Sequence, residues 1–205
     1  MTPHPIFEID LTGEGENYLG GEPPAGFNMP KFEFNAPFQY LGKLSKSDEA
    51  FNWLPFDLHL IAPIYLNIWN FFIDYSDPNN PKVFDLEGLK ETGTAYEDLK
   101  PDSEIIFKKE SFKAKRVTDF GNGVGHTGSP NWIQYPRIPS CPKSGKTMRF
   151  LCQLSEGPYT DRTNIHPKEE WYKQYFEYMN FWGDGDLFIF FEPESKIACF
   201  IIQNT

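Results

Sequence analysis

The sequence is short of several things that would narrow its function at once. It has three cysteines, Cys141, Cys152 and Cys199, too few and odd in number for a disulfide framework, which agrees with a reducing compartment. Positive charge is also scarce: 19 Lys and Arg stand against 29 Asp and Glu, a formal net charge of −10. Such a field repels phosphate backbones and attracts cationic partners, so no nucleic acid partner is expected. Long apolar runs are missing too. The most apolar span, Leu58 to Ile73, is interrupted by His59, Pro63, Asn67 and Asn70 and falls short of the roughly 20 residues a membrane helix needs. The opening MTPHPIFEID has neither the basic start nor the apolar stretch of a secretory signal. The expectation is a soluble, cytoplasmic protein with no membrane partner.

Complete catalytic motifs are lacking as well. GVGHTG, Gly123 to Gly128, has the spacing of a dinucleotide loop, but the three prolines of the following SPNWIQYPRIP forbid the regular helix that motif requires. SCPKSGKT, Ser140 to Thr147, ends like a phosphate loop, yet Ser140 replaces its first glycine and the strand-like MRFLCQL follows. Cys141-Pro142-Lys143-Ser144-Gly145 outlines a zinc knuckle in which Ser144 stands where the second cysteine would be, so no metal is expected, and no cofactor. Cys152 and Cys199 lie in apolar strand patterns and read as core, and no Gly-x-Ser-x-Gly elbow is present. His59, amid Leu58, Leu60 and Ile61, reads as a partly buried, satisfied side chain. The acidic DYSDPNN lacks the ligand spacing of an EF-hand and reads as a turn. The cluster Lys108, Lys109, Lys113, Lys115 and Arg116 reads as a solvated face.

What is present is aromatic. Phe, Trp and Tyr make up 17% of the chain, with 20 Phe, and together with abundant Pro and Gly they suit short strands and turns. A chain of this length buries one substantial core, so one compact domain is expected. Its landmarks occur twice, in halves at about 1–100 and 101–205. LGGEPP at Leu19 to Pro24 matches GHTGSP at Gly125 to Pro130, and FQYLGKL, Phe38 to Leu44, matches MRFLCQL, Met148 to Leu154. Each half then closes on paired strands, WNFFIDY with KVFD and DLFIFFE with IACFII. Gly183 and Gly185 in FWGDGD mark the turn entering the second pair. Helix is expected over His166 to Met179, with Trp171, Tyr175 and Tyr178 at helical spacing, and in LSKSDEAFNWL behind a Ser45 or Ser47 cap. The resulting fold class is α+β, β-rich, built of two pseudo-symmetric repeats.

The stretch GSPNWIQYPRIPSCPKSGKTMRFLCQL, followed by GDGDLFIFFEPE, resembles the YwqG-like family, also called domain of unknown function 1963. The likeness extends more loosely to LGGEPP and APFQYLGKL in the first half. It implies a duplicated α+β fold and no established catalytic activity. Bacterial members often sit beside toxin genes, which implies an immunity protein neutralising a cognate toxin by direct contact.

Acidity favours a basic toxin as partner, and aromatics at turn tips anchor interfaces, so Trp182, Asp184, Asp186 and Glu192 are the expected contact residues. The alternative is a small-molecule binder or enzyme with a pocket between the halves, lined by His126, Trp132, Gln134 and Gln153.

Overall fold

The runs LFIFF and IACFII place apolar side chains at every position, so a strand made from either needs cover on both faces. The computed structural model meets that need with a hairpin set inside a large sheet. It describes residues 5–30, 38–65, 70–84, 96, 99–100 and 102–205, and expectations that touch Met1 to His4, Ala36, Pro37, Asn67, Trp69 or Asp85 lie outside the described residues. In the hairpin, β14 (Asp186–Glu192) pairs antiparallel with β15 (Ile197–Gln203) in unbroken register, Leu187 opposite Ile202 and Phe191 opposite Ala198. Leu187, Ile189, Phe191, Ala198, Phe200 and Ile202 enter the larger apolar cluster, and Phe188, Phe190, Ile197, Cys199 and Ile201 enter a smaller one. The alternation of a pleated strand thus divides one pair of strands between two cores.

The other strands are β1 (Ile6–Ile9), β2 (Asn17–Leu19), β3 (Gln39–Leu44), β4 (Leu58–Ala62), β5 (Asn70–Asp74), β6 (Lys82–Val83), β7 (Ile105–Phe107), β8 (Glu110–Phe112), β9 (Lys115–Val117), β10 (Gly125–His126), β11 (Arg149–Leu154), β12 (Glu156–Thr163) and β13 (Tyr178–Asn180). Among the described residues the large sheet has eight strands, in the order β6-β5-β15-β14-β11-β10-β1-β9. A four-stranded sheet runs β4-β3-β2-β8 and a three-stranded sheet β13-β12-β7. All the pairings are antiparallel, and the fold is β-rich.

The larger cluster joins one face of the hairpin to Leu41 and Leu44 of β3 and to Leu58 and Leu60 of β4. Within it Phe71 stacks on Phe200, ring centroids 4.9 Å apart. The opposite face is covered by the coil from Ser129 to Cys141, whose Trp132 stacks on Phe188 at 4.8 Å and on Phe190 at 6.0 Å. With Pro130, Pro136 and Pro139, that coil cannot supply a full ladder of donors. Two buried glutamines of the sheet replace the missing strand. Gln153 accepts from the Asn131 amide at 2.8 Å and donates to the Asn131 carbonyl at 3.0 Å. Gln203 accepts from the Gln134 amide at 3.2 Å and donates to the Tyr135 carbonyl at 3.0 Å.

Strands from each half enter the other's sheet. β1 lies between β10 and β9, while β8 lies beside β2. The β3–β4 register slips between Tyr40 and Gly42, and the β11–β14 register slips between Phe150 and Cys152. Gly20 and Gly128, just after β2 and β10, both have positive φ, and a Cβ on either would meet a backbone oxygen at 2.1 Å or 2.7 Å. β11 has the closing strand β14 as its neighbour, whereas β3 lies between β4 and β2 and the β5–β6 hairpin lies against β15, so the two closing hairpins do not hold matching places.

Helix is sparser than the sequence pattern suggests. Over 166–179 the structure has a 3-10 helix, Glu170–Phe176, that buries Phe176 and leaves Trp171 57% exposed. Side chains claim its last carbonyls: Thr160 donates to the carbonyl of Phe176 and Asn180 to that of Tyr175. In LSKSDEAFNWL, successive turns replace the helix, with Asp48, Phe51 and Leu54 donating to the carbonyls of Ser45, Asp48 and Phe51. The Asp48 carboxylate there accepts from Asn17 at 2.7 Å and from the Ala114 amide at 3.1 Å, which ties this segment to its neighbours. Asp74 and Asp77 accept from the amides of Ser76 and Asn79, the turn chemistry that Asp supplies. No helix among the described residues is long and apolar enough to cross a membrane.

Replacing Phe200, which is fully buried, with Ala removes a stacked ring from the larger core, and the expected loss is about 3–5 kcal/mol in urea unfolding. Ile138→Ala, at a side chain 58% exposed, is expected to cost under about 0.5 kcal/mol in the same measurement.

Candidate functional site

The turn that joins β13 to β14 is FWGDG, and it forms one wall of a groove of about 320 Å³. Phe181 is buried and pairs with Gly185 across the turn, which fixes its width. Trp182 takes a left-handed backbone, φ 62°, and donates its indole N–H to the Ile64 carbonyl at 3.1 Å. Such a conformation is uncommon for a bulky residue and persists where its surroundings hold it. Asp184 is exposed and accepts from the Thr205 hydroxyl.

The opposite wall is aromatic, made by Tyr175 at the end of the 3-10 helix and Tyr178 at the start of β13. Buried Asn180 joins the walls. Its amide donates to the carbonyls of Tyr175 at 3.1 Å and Tyr178 at 2.9 Å, and its oxygen accepts from the Gly183 amide at 3.1 Å. The aromatic surface continues outward. Tyr178 meets Tyr159 of β12 with ring centroids 6.4 Å apart, and Tyr175 meets Trp171 at 6.3 Å. Tyr159 is 63% exposed. Exposed Glu169, Glu170 and Glu177 lie along the same segment of chain.

Of the expected contact residues, the groove contains Trp182 and Asp184. Asp186 faces the amide of Gln153 at 2.5 Å and belongs to the coil clamp. Glu192 is buried at the far end of β14, about 20 Å along the strand from Asp186. It accepts from the amides of Glu194 at 3.2 Å and Ser195 at 2.7 Å, shaping the β14–β15 turn. Burial opposes its ionisation, but hydrogen bonds from Ser195 and Glu194, with the charge of Lys146, hold its carboxyl below the usual range.

The four residues of the alternative pocket lie along the Ser129–Cys141 coil and the strands beneath it. His126 donates its Nε2–H to the Ser129 carbonyl at 3.1 Å and packs on Phe120, while Trp132 covers the sheet face. Gln134 donates to the Asn204 carbonyl at 2.9 Å, and Gln153 holds Asn131. The sites the sequence pattern missed are Tyr175, Tyr178 and Asn180. The signal for the two tyrosines is their helical spacing with Trp171, which the sequence pattern reads as helix rather than as a site.

The three thiols sit in two different environments. Burial pushes Cys152 and Cys199 well above the ordinary thiol value. At Cys141 burial also acts upward, but hydrogen bonds from Ser144, Lys143 and Ser195 outweigh it and lower the pKa. Ser144 therefore serves the Cys141 sulfur from the place of the absent knuckle cysteine. Among the described residues, no three His, Cys, Asp or Glu side chains converge as a metal set.

A second polar cluster lies in the four-stranded sheet. Tyr18 and Tyr40 share a hydroxyl contact at 2.9 Å, and the Tyr40 hydroxyl meets His59 Nδ1 at 2.6 Å. Burial, helped by the charge of Lys43, lowers the His59 pKa, and burial lowers that of His126 against the opposing Ser129 carbonyl and Asp186. In the unfolded chain both imidazoles return to about 6.5. Below that value the unfolded state binds more protons, so stability falls as pH drops from about 6.5 toward the folded pKa values. Urea midpoints are expected to decrease from about pH 7.5 to about 5.5, and less so in His59→Gln, whereas a profile that rises toward acid would contradict this assignment.

No family model, no curated protein and no solved structure matches this chain.

Proposed function

We propose that the chain is a YwqG-like protein-binding module that neutralises a basic cognate toxin by direct contact, and that the Trp182–Asp184 groove is its binding surface. The observation that carries this reading is the exposed aromatic surface, with Trp171 57% and Tyr159 63% exposed beside a groove built by a buried amide. Large aromatics are costly to leave in water, and Tyr and Trp are the residues that most often anchor interfaces. The acidic surroundings select the partner's sign. A net charge of −10 speeds encounter with a cation, and Asp184 offers a carboxylate at the groove itself.

The family likeness includes a duplicated α+β unit, and matched details support such a duplication. The register slips at Leu41 and Leu151 fall at the same place in FQYLGKL and MRFLCQL. Short β2 flanks β3 as short β10 flanks β11. Ile9 of β1 stands opposite Gly125, and Phe112 of β8 stands opposite Asn17, as though each repeat lends an early strand to the other. A partner-binding role then falls on the features the repeats do not share, the 3-10 helix and the FWGDG turn.

The test is co-expression and binding with any toxin domain encoded beside this gene. Wild type is expected to bind and restore growth. Tyr178→Ala is expected to weaken binding by roughly thirtyfold, the effect of a hot-spot truncation near 2 kcal/mol. Asp184→Lys is expected to weaken it at least as much and to slow association more than it speeds dissociation. Folded variants that bind and protect like wild type would overturn the assignment of this surface.

A further inference from the structure

We propose that the cleft between the two halves is a binding site for a small carboxylate carrying an apolar group, with Arg149 as its anion-binding fork. The cleft holds about 430 Å³. Phe7 and the turn around Trp53 line it from the first half, and Thr127 with Arg149 to Leu151 line it from the second. A volume in this range suits a small molecule, and junctions between repeated units are frequent ligand sites. It is a different place from the coil clamp that occupies Gln134 and Gln153, and it is independent of the aromatic groove.

Three features set the chemistry. The Arg149 guanidinium lies over the Trp53 ring, 4.0 Å from its centroid, and among the described residues it makes no side-chain hydrogen bond and no ion pair. Trp53 is itself seated on buried Phe191, with ring centroids 6.2 Å apart. The cation is therefore held over the ring while its N–H donors stay uncommitted, and a guanidinium fork can offer a carboxylate two parallel hydrogen bonds. Second, Phe7, Ala50, Phe150 and Leu151 give the cleft apolar walls, so the bound anion carries an apolar group. Third, Glu49 also lines the cleft, and its contact with Arg116 is a loose 3.9 Å between side chains each 67% exposed. That carboxylate is poorly neutralised. One arginine beside one glutamate fits a monoanion and disfavours a phosphate dianion.

The experiment titrates phenylacetate, phenylacetamide and inorganic phosphate separately into the full-length, isotope-labelled protein and follows amide and arginine Nε resonances. Phenylacetate is expected to shift Arg149 Nε and the amides of Thr127, Gly128 and Leu151, with a dissociation constant in the millimolar range or tighter. Phenylacetamide, which keeps the ring and loses the charge, is expected to bind at least tenfold more weakly. Arg149→Gln is expected to lose at least tenfold in phenylacetate affinity, and Arg149→Lys to recover only part of it, since a lysine keeps the charge without the fork. Arg149 is exposed, so both variants are expected to keep the wild-type amide spectrum away from the cleft. Absence of shifts at these positions, equal affinity in Arg149→Gln, or phosphate binding as tightly as phenylacetate would each overturn the proposal.

Discussion

The structure depends on a hairpin that cannot leave either face in water. β14 and β15 carry apolar side chains at successive positions, and both cores are built on them. Fully burying one large apolar side chain is worth about 1.5–3 kcal/mol, so losing the cover of either face would remove several such contributions together. Everything around the hairpin answers that demand. β3 and β4 supply the larger core, while a proline-rich coil that cannot form a ladder is held down by Gln153 and Gln203 over the smaller one. Interleaving follows from the same need: β1 and β5, from the first half, complete the sheet that the second half begins.

This architecture also limits where function can reside. Both faces of the β14–β15 hairpin are closed, and the side chains of Asp186, Gln153 and Glu192 are occupied in holding coil and turn. What is left is the rim. On one side Asn180 builds a groove of tyrosines ending in Asp184, and between the halves Arg149 rests on Trp53 with its donors uncommitted. We propose a protein as the occupant of the first surface and a small anion as that of the second. Acidity acts on the first through the whole-molecule field, whereas in the cleft the single Glu49 sets which anions fit.

The strands were legible because their signals are local. Alternation in FQYLGKL and MRFLCQL, and the unbroken runs of LFIFF and IACFII, state which faces need cover. FWGDG was legible as a turn for the same reason. Pattern could not reveal which side chain would be claimed from afar. Thr160 and Asn180 take carbonyls at the end of the 3-10 helix, and Asp48 is held by Asn17 and Ala114, so segments with helical spacing take tighter or irregular forms. Glu192 shows the same limit. In sequence it is one more acidic residue near a turn, and only the fold shows it buried beneath the amides of Glu194 and Ser195. Arg149 and Trp53 lie 96 positions apart, and nothing local links them.

The claim that the rest hangs on is that two glutamines seal the outer face of the hairpin, and native-state hydrogen exchange at the Asn131 and Gln134 amides tests it most directly. Each amide donates to a buried glutamine oxygen inside an otherwise exposed coil. Both are expected to exchange orders of magnitude more slowly than free coil, opening together before β15 does. Exchange at the free-coil rate, with Ile201 of β15 still fully protected, would contradict the seal.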